Sequence, residues 1–358
     1  MDTLCGVDFH ARSQTVRYVS ACDGEIHRIT LDHACDDVRG FYASLPGKVI
    51  VGIEAHGYTA WFEQMLFELG HDVWIGDAAK IRTFKTRKQK NDDRDAELIL
   101  DLLMTGRFPR IYRPTADSRA VLQALRFRHN LVRTRTRIAN SLVAIALSTG
   151  MTRKPRVLTA AGRRAVEAIP MTGELAIQRQ EWFELLDELE PHIRQAEDRL
   201  TEAAKGDERI IRLRTQPGIG LLTSLGLVHL LGPAERFSTS RQVVAYIGLD
   251  PVEDSTAGKR RIGPISKQGS KLLRFLLMEA GQAAVAGDEQ LRGVYGRIKR
   301  RKNNQIAKAA VARRLLVRSW IMLRDGIDYY EFCRRGREGH GVGAGRPDKT
   351  HGLSMPVL

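Results

Sequence analysis

Four acidic side chains occur at positions that could together hold a divalent metal ion. Asp8 and Glu54 each end an apolar, strand-like run, whereas Asp92 and Asp95 stand one helical turn apart. A carboxylate at the end of a buried strand needs a partner, because an unpaired buried charge is costly. Mg²⁺ prefers the hard oxygen ligands that carboxylates supply. The spacing therefore predicts a Mg²⁺ site formed by these four side chains.

Each of these acids also has an ordinary structural interpretation. Asp8 could form a turn, since Asp accepts hydrogen bonds from nearby backbone N–H groups. Glu54 could pair with an arginine, and Asp92 or Asp93 could cap the helix that follows. Each alternative explains one residue, whereas a single fold explains all four positions.

That fold follows from the pattern of the first 110 residues. Three short β-branched runs separated by turn residues predict a meander, and strands then alternate with helices. The predicted strands are residues 3–9, 15–20, 25–31, 48–54 and 71–75, and the predicted helices are 36–44 and 61–69. This order is typical of a mixed α/β sheet. In its ribonuclease H-like version, the first strand, the fourth strand and a later helix bring their carboxylates together, with Asp92 and Asp95 on one helical face.

Several short motifs occur in an order that resembles a known family. Gly-Val-Asp, Ile-Glu-Ala-x-Gly and Asp-x-x-Asp-Ala are similar to the DEDD-type, RuvC-like domain of the insertion-sequence transposases of family one-ten, including its eleven-eleven subgroup. Later motifs resemble that family's C-terminal transposase domain: Gln216-Pro217-Gly218-Ile219-Gly220, Tyr246-Ile247-Gly248-Leu249-Asp250-Pro251, Ser255-Thr256-Ala257-Gly258-Lys259 and Ile265-Ser266-Lys267-Gln268-Gly269. The resemblance spans residues 3–330, and the order and spacing of the motifs make it specific.

The resemblance implies an α/β ribonuclease H-like (RuvC-like) domain, a helical or coiled-coil insertion and a second, mostly α-helical domain. The expected segments are 1–115, 116–205 and 206–332, followed by a glycine-rich tail, 333–358, that composition predicts to be disordered. The implied enzyme cleaves, exchanges and rejoins the DNA strands of a mobile element. Its implied partners are donor and target DNA, a guide RNA encoded by the element, and further copies of the chain in a homodimer or homotetramer.

Ser255 is the candidate nucleophile. From the residues alone, 254–258 is a turn in which a Ser hydroxyl supports the turn itself. The resemblance implies instead that a Ser shortly after Gly-Leu-x-Pro attacks a DNA phosphate and stays covalently attached. Some relatives place that Ser one position later, where this chain has Thr256, so Thr256 is the alternative. A Ser hydroxyl needs a base or a metal to become a nucleophile, and we expect the Mg²⁺–carboxylate centre to assist it.

Excess positive charge indicates a polyanionic partner. The chain has 57 Lys and Arg against 42 Asp and Glu, a net charge of +15. One cluster precedes Asp92, and it consists of Lys80, Arg82, Lys85, Arg87, Lys88 and Lys90. A second lies along a later helical stretch and consists of Arg297, Lys299, Arg300, Arg301, Lys302, Lys308, Arg313, Arg314 and Arg318. The alternative is a solvated face, but the scarcity of acids between them favours phosphate contacts.

Two further elements are candidates for nucleic-acid contact. Arg260, Arg261 and Lys267 flank the Ser255 turn and could clamp a phosphate, the alternative being ordinary surface cations. Gly218 and Gly220 predict a helix-hairpin-helix turn whose backbone N–H groups approach a phosphate. The alternative is a tight connection that serves helix packing.

The middle of the chain predicts two long helices, 120–148 and 182–204. They could form an antiparallel hairpin or part of an intermolecular coiled coil. The resemblance implies a helical insertion here that joins protomers and contacts nucleic acid, which favours the assembly. Pro191 is expected to kink or break the second helix.

The remaining composition narrows the class of protein. Four Cys without CxxC spacing indicate neither a zinc site nor a disulfide framework. No apolar run approaches the length of a membrane span and the N-terminus has no signal-like core, so we expect no membrane partner and a cytoplasmic, nucleoid-associated protein. Two other classes stay open: a metal-dependent junction-resolving endonuclease, which needs only the four acids, and a non-catalytic DNA-architectural protein, which needs only the basic helices.

Overall fold

Short runs rich in β-branched residues build a five-stranded sheet in the first part of the chain. The computed structural model describes residues 2–20, 22, 24–35, 37–84, 92–253 and 262–341, without the side chains of 92, 262 and 337–341. The strands are β1 Thr3–Phe9, β2 Ser13–Val19, β3 Ile26–Asp32, β4 Val49–Glu54 and β5 Asp72–Gly76. Their order is β3-β2-β1-β4-β5, antiparallel from β3 to β1 and parallel from β1 to β5. The predicted mixed sheet is confirmed.

Helices cover both faces of this sheet. They are α1 Asp37–Ser44, α2 Ala60–Glu68, α3 Ala78–Thr83 and α4 Asp92–Met104. One core packs Val7 and Ile53 of the sheet against Tyr42 of α1 and Phe62 of α2. Successive strand residues point to opposite faces, so the other face is left for α4, which packs there through Ile99 and its neighbours.

The chain divides into two units, Met1–Arg113 and Pro114–Leu358. The second unit is mostly helical, which is the class expected for it. Its helices are α5 Ala116–Ser148, α6 Ala160–Glu167, α7 Glu174–Ala203, α8 Glu208–Arg214, α9 Leu221–Leu231, α10 Ser240–Ile247, α11 Lys271–Gly287, α12 Glu289–Arg301, α13 Asn304–Asp325 and α14 Tyr329–Gly341. A short 3-10 helix, Ala234–Arg236, and two paired strands, β6 Pro251–Glu253 and β7 Ile262–Ile265, complete it. Its main core surrounds the apolar α9.

The long helices α5 and α7 pack antiparallel within one chain. Arg128 pairs with Glu197, and Arg135 pairs with Glu190 at 3.0 Å, so residue numbers rise along one helix as they fall along the other. Within the chain the two helices thus form an antiparallel hairpin, one of the two predicted arrangements. Of the predicted kink or break at Pro191, the break is wrong, because α7 continues from Glu174 to Ala203. Ion pairs on both sides of Pro191 hold the helix against α5 and offset the missing N–H.

A buried ion pair corrects the predicted basic stretch. Arg318 donates to Asp288 at 2.6 Å, and both side chains are about 5% exposed or less. The Tyr329 hydroxyl also donates to Asp288, at 2.5 Å. Burial alone would raise the pKa of Asp288, but the hydrogen bonds and the positive charge of Arg318 outweigh it and hold the pKa below its usual value. Arg318 of α13 therefore binds Asp288 at the start of α12 and contacts Tyr329 of α14. It does not belong to a phosphate-binding face.

Part of the segment that was predicted to be a disordered tail is helical. The segment from residue 333 was expected to be disordered, but α14 continues to Gly341. Tyr329 and Phe332 pack against the core of this unit, which gives the helix a tertiary support that composition does not reveal.

None of the helices that the structure describes is long and apolar enough to cross a membrane.

Candidate functional site

Asp8 and Glu54 lie side by side at the carboxyl ends of two neighbouring strands. In the parallel pairing of β1 with β4, Val7 is opposite Ile53, and the two acids are the next residues along. Paired strands run about 4.8 Å apart, so the two acids start from adjacent backbone positions. The predicted pairing of the first and fourth strands is confirmed.

Both acids face the side of the sheet on which α4 lies. Two residues before each acid stands a glycine, Gly6 or Gly52, and side chains two apart along a strand share a face. A Cβ at Gly6 would come within 2.4 Å of the Ala96 carbonyl oxygen, and one at Gly52 within 2.8 Å of Leu103. The two glycines thus let α4 approach the strands that carry the acids.

Each of these two acids has a nearby basic group. His10 Nε2 lies 3.1 Å from Asp8 Oδ2, with the Asp8 side chain 17% exposed. Arg82 lies 3.6 Å from Glu54, but its side chain is 71% exposed, so this contact is weak. Neither contact removes a carboxylate from possible metal coordination.

The acids at the start of α4 have separate roles. Asp93 accepts two hydrogen bonds from Arg17 at 2.6 Å and lies 3.0 Å from Arg28. The hydrogen bonds from Arg17 hold the pKa of Asp93 below its usual value. Asp93 thus ties the beginning of α4 to β2 and β3, a role that neither the capping nor the metal interpretation foresaw. Asp95 is partly exposed in the first turn of α4, whereas the Asp92 side chain lies outside the described residues.

The oxygen ligands present fit a hard divalent cation. Asp8 and Glu54 face α4 from adjacent strands, and Asp95 is in that helix's first turn. Among the described side chains, which do not include that of Asp92, no group of three or more His, Cys, Asp or Glu is close enough to hold a metal ion.

Gly6→Ala is expected to destabilise the protein by about 3 kcal/mol, the upper part of the range for overpacking. The new methyl group would meet backbone atoms of α4 at 2.4 Å, and backbone cannot move aside as a flexible side chain can. We expect a lower urea midpoint, measured by circular dichroism on the full chain.

Gly40→Ala is the matched control. Gly40 lies in α1, and a Cβ added there would meet no atom within 4 Å. The variant should become slightly more stable, because Ala favours a helix. An unchanged midpoint for Gly6→Ala would show that α4 does not depend on this close approach.

The candidate serine lies on a connection whose two ends are held together. Strands β6 and β7 are antiparallel, with Glu253 opposite Ile262. Ser255, its alternative Thr256 and the predicted clamp residues Arg260 and Arg261 all fall within 254–261 and lie outside the described residues.

Hydrogen bonds fix the base of this β6–β7 hairpin. The Ser266 hydroxyl donates to the Asp250 carboxylate at 2.5 Å, and the Ser266 N–H donates to the Asp250 carbonyl at 2.8 Å. The Lys267 N–H donates to the Gly248 carbonyl at 3.1 Å, with Lys267 at φ 58° and Gly248 at φ 74°. A Cβ at Gly248 would lie 1.9 Å from the Gln268 carbonyl oxygen, so this approach requires a glycine. Lys267, a predicted clamp residue, is exposed at this base.

A half-buried arginine adds positive charge beside the hairpin base. Burial lowers the pKa of Arg313, and the negative charge of Asp250 raises it in part. Its Nε has no hydrogen-bond partner among the described residues. Sequence reasoning counted Arg313 as one cation in a run, and only its burial distinguishes it.

The remaining predicted contact residues divide into exposed, packed and undescribed groups. Arg300, Arg301 and Lys302 are exposed at the end of α12. Gly218, at φ 85°, packs against α11, because a Cβ there would lie 2.4 Å from the Ala280 carbonyl oxygen; this favours the packing alternative, whereas Gly220 faces open space. The predicted cations Lys85, Arg87, Lys88 and Lys90 lie outside the described residues.

Comparison with known proteins places both units among transposases. Residues 211–296 match the family described as Transposase IS116/IS110/IS902 family, and residues 5–149 match the DEDD-type transposase domain of IS110 elements. A probable family 20 transposase of Pseudomonas aeruginosa is 32% identical over 76% of this chain and 83% of its own length.

Two relatives from named insertion sequences are similar over long stretches. The transposase for insertion sequence element IS1328 of Yersinia enterocolitica is 29% identical over 90% of this chain and 97% of its own length. The transposase for insertion sequence element IS1111A of Coxiella burnetii is 29% identical over 68% of this chain and 69% of its own length.

Proposed function

Because this chain belongs to the IS116/IS110/IS902 family of transposases, we propose that it cleaves, exchanges and rejoins DNA strands through a covalent serine–DNA intermediate assisted by a metal–carboxylate centre. The family predicted from the motifs is confirmed, and the chain is a DNA transposase. The observation that carries the proposal is the adjacent placement of Asp8 and Glu54 on the face covered by α4.

The proposed metal centre consists of Asp8, Glu54, Asp92 and Asp95. A DEDD-type domain indicates a divalent metal, and the all-carboxylate ligand set favours Mg²⁺ over softer metals. When bound, Mg²⁺ would neutralise charge on a DNA phosphate. The protein's own contribution is to bring carboxylates from two strands and one helix to one face of the sheet, and Asp93 holds that helix to β2 through Arg17.

The proposed nucleophile is Ser255, on the connection of the β6–β7 hairpin. In the proposed step the Ser255 hydroxyl oxygen bonds to the DNA phosphorus, the bond from phosphorus to a deoxyribose oxygen breaks, and that oxygen leaves with a proton. The hydroxyl proton passes to a base or to solvent. The attached DNA end is later released by the reverse attack of a strand hydroxyl, so cleavage and rejoining need no external energy source. Support comes from the fixed hairpin base at Asp250 and Ser266 and from the half-buried charge of Arg313.

One assay separates this proposal from the two rival classes. Labelled DNA carrying an element end is incubated with the protein and Mg²⁺ and resolved on a denaturing gel. A recombinase should give a slowly migrating, protease-sensitive protein–DNA adduct. Free cleaved ends without an adduct would identify a junction-resolving nuclease, and intact DNA would identify an architectural protein.

The guide and the assembly are further parts of the proposal. We infer that a non-coding RNA encoded by the element selects the target and that the protein acts as a homodimer or homotetramer, both on family resemblance. Sequencing the RNA that copurifies with the protein tests the first, and light scattering of the RNA complex tests the second. Recovery of random host RNA alone would contradict the proposal that an RNA encoded by the element guides the protein.

Replacing Arg300, Arg301 and Lys302 together by Gln should weaken DNA binding across unrelated sequences. These three exposed cations end α12, so each can contact a phosphate without reading a base. The slope of the logarithm of the binding constant against the logarithm of the salt concentration should become less negative by about 3, because three phosphate contacts are lost. Fluorescence anisotropy over a salt series measures it.

The matched control is the triple Gln variant of Arg194, Arg199 and Lys205. It removes the same charge from exposed positions on and just after α7, a helix rich in acids. Equal flattening in both variants would mean that net charge, and not the end of α12, determines the slope.

A further inference from the structure

A cleft lies between α5 and the first turn of α11, inside the second unit. Its volume is about 510 Å³, and its lining includes Arg126, His129 and Arg133 of α5 with Tyr246 of α10 and Lys271 of α11. The three α5 residues follow one another at spacings of three and four, so they share one face of the helix. None of the ten residues that line the cleft is acidic.

The cations of this cleft are not neutralised within the part of the chain that the structure describes. Arg126, Arg133 and Lys271 make no ion pair there, whereas Arg128 and Arg135 on the neighbouring face of α5 are paired with acids of α7. Burial lowers the pKa of His129, and the positive charges of Arg133 and Lys271 lower it further. The cleft is therefore a local concentration of positive charge.

The end of a helix adds to that charge. α11 has 17 residues, and its N-cap Ser270 lines the cleft and accepts a hydrogen bond from the Leu273 N–H. The other N–H groups of a first turn have no partner inside the helix, and the helix dipole adds positive potential at this end. Such an end favours phosphate groups when cations surround it.

An exposed aromatic side chain contacts His129, one of the residues that line the cleft. Phe275 is 46% exposed, and its ring centroid lies 4.8 Å from that of His129. Tyr246 is an aromatic residue of the lining itself. An exposed ring next to phosphate-binding groups is the combination that binds single-stranded nucleic acid, because every base can stack on it.

We propose that this cleft binds the phosphodiester backbone of an unpaired nucleic-acid segment and that Phe275 stacks one of its bases. Arg126 and Arg133 are two helical turns apart, about 10 Å along the axis, which suits successive phosphates of one strand better than a single ion. The inference rests on the proposed function only in taking nucleic acid as the polyanion. It adds the site and the single-stranded character of the segment.

The test measures binding of fluorescent single-stranded DNA, single-stranded RNA and duplex DNA of one sequence to the full-length protein. Arg126→Gln/Arg133→Gln should flatten the salt dependence for a single strand by about 1.4, as for two phosphate contacts. Arg126→Lys/Arg133→Lys, which keeps the charge, should restore most of the slope. Phe275→Leu should weaken single-strand binding about fivefold or more and leave duplex binding unchanged.

Matched controls remove equivalent groups elsewhere. Arg194→Gln/Arg199→Gln removes two exposed arginines from α7, and Tyr330→Leu removes a ring that is 77% exposed on α14. An unchanged slope in the cleft variant, an equal loss in either control, or binding of the duplex alone would overturn the proposal. Tighter binding of single-stranded RNA or of single-stranded DNA would show which nucleic acid the cleft binds. Equal binding of the two would support recognition of the phosphodiester backbone and the base ring, which both nucleic acids have.

Binding of these inert probes needs no strand cleavage, so its outcome is separate from that of the adduct assay. A chain that binds through the cleft but forms no adduct would refute the serine chemistry and support the cleft. A protein that forms the adduct, but whose single-strand binding is unchanged by the cleft substitutions, would support the serine chemistry and refute the cleft.

Discussion

Ser255→Ala is expected to abolish both the covalent protein–DNA adduct and recombination. If the Ser255 oxygen is the atom that attacks phosphorus, no other group can form the same bond, and loss of a nucleophile lowers a rate on the order of 10⁶-fold. Assembly with nucleic acid should persist, since only one small hydroxyl is lost. The denaturing-gel assay measures the adduct, and a mobility shift measures assembly.

Two comparisons make this result specific. Thr256→Ala should be milder, and Ser238→Ala, at an exposed serine outside the hairpin, should behave as the unchanged protein. Peptide mapping of the trapped adduct gives the attachment site directly. A nucleotide on Thr256 would move the nucleophile by one residue, whereas full recombination by Ser255→Ala would remove this serine from the mechanism.

Asp8→Asn and Asp95→Asn should each lower strand cleavage by more than about 100-fold, because loss of an outer-shell partner alone costs up to that much at metal sites. Asn keeps the size of the side chain and removes the charge that holds Mg²⁺. Nucleic-acid binding should largely persist. Cleavage rates over a Mg²⁺ series, with binding measured in parallel, distinguish weaker metal binding from a lost complex.

Asp101→Asn is the control for both substitutions. Asp101 lies on α4, the helix that carries Asp95, but its side chain is 56% exposed, and among the described residues its one ion pair is a 3.6 Å contact with Arg107. The Asp101→Asn variant should cleave DNA strands at the rate of the unchanged protein. Near-normal cleavage by Asp8→Asn in Mg²⁺ would refute the metal centre.

The sheet was predictable because its strands are short β-branched runs bounded by turn residues. The first strand has the bounds that the β-branched pattern indicates, Thr3–Phe9, and the others differ by one or two residues at their ends. The ribonuclease H-like layout predicted that Asp8 and Glu54 would come together, and the two acids do follow paired positions of neighbouring parallel strands. The break predicted at Pro191 does not occur. Helix-breaking propensity is a property of the local sequence, whereas the packing of α7 on α5 joins residues that are distant in the sequence.

Contacts between residues that are far apart in the sequence could not be predicted from the sequence near either residue. Arg17 and Asp93 are separated by 76 positions, and nothing near either residue indicates that they pair. Arg318 looked like one more cation in a basic run, and only the fold shows its burial with Asp288. His10 was within reach of sequence reasoning, since it stands two residues after Asp8 on the same side of the strand end. Ser255 itself stays a prediction.

The close approach of α4 to Gly6 has a consequence for genetic screens. Gly6 carries no reactive group, yet any side chain there would push against the helix that bears Asp95. A screen that scores only transposition would therefore rank Gly6 beside the carboxylates and mistake a spacing requirement for a catalytic one. Scoring the abundance of each variant in the same cells would separate the two: Asp8→Asn protein should accumulate normally, and Gly6→Ala protein should be depleted.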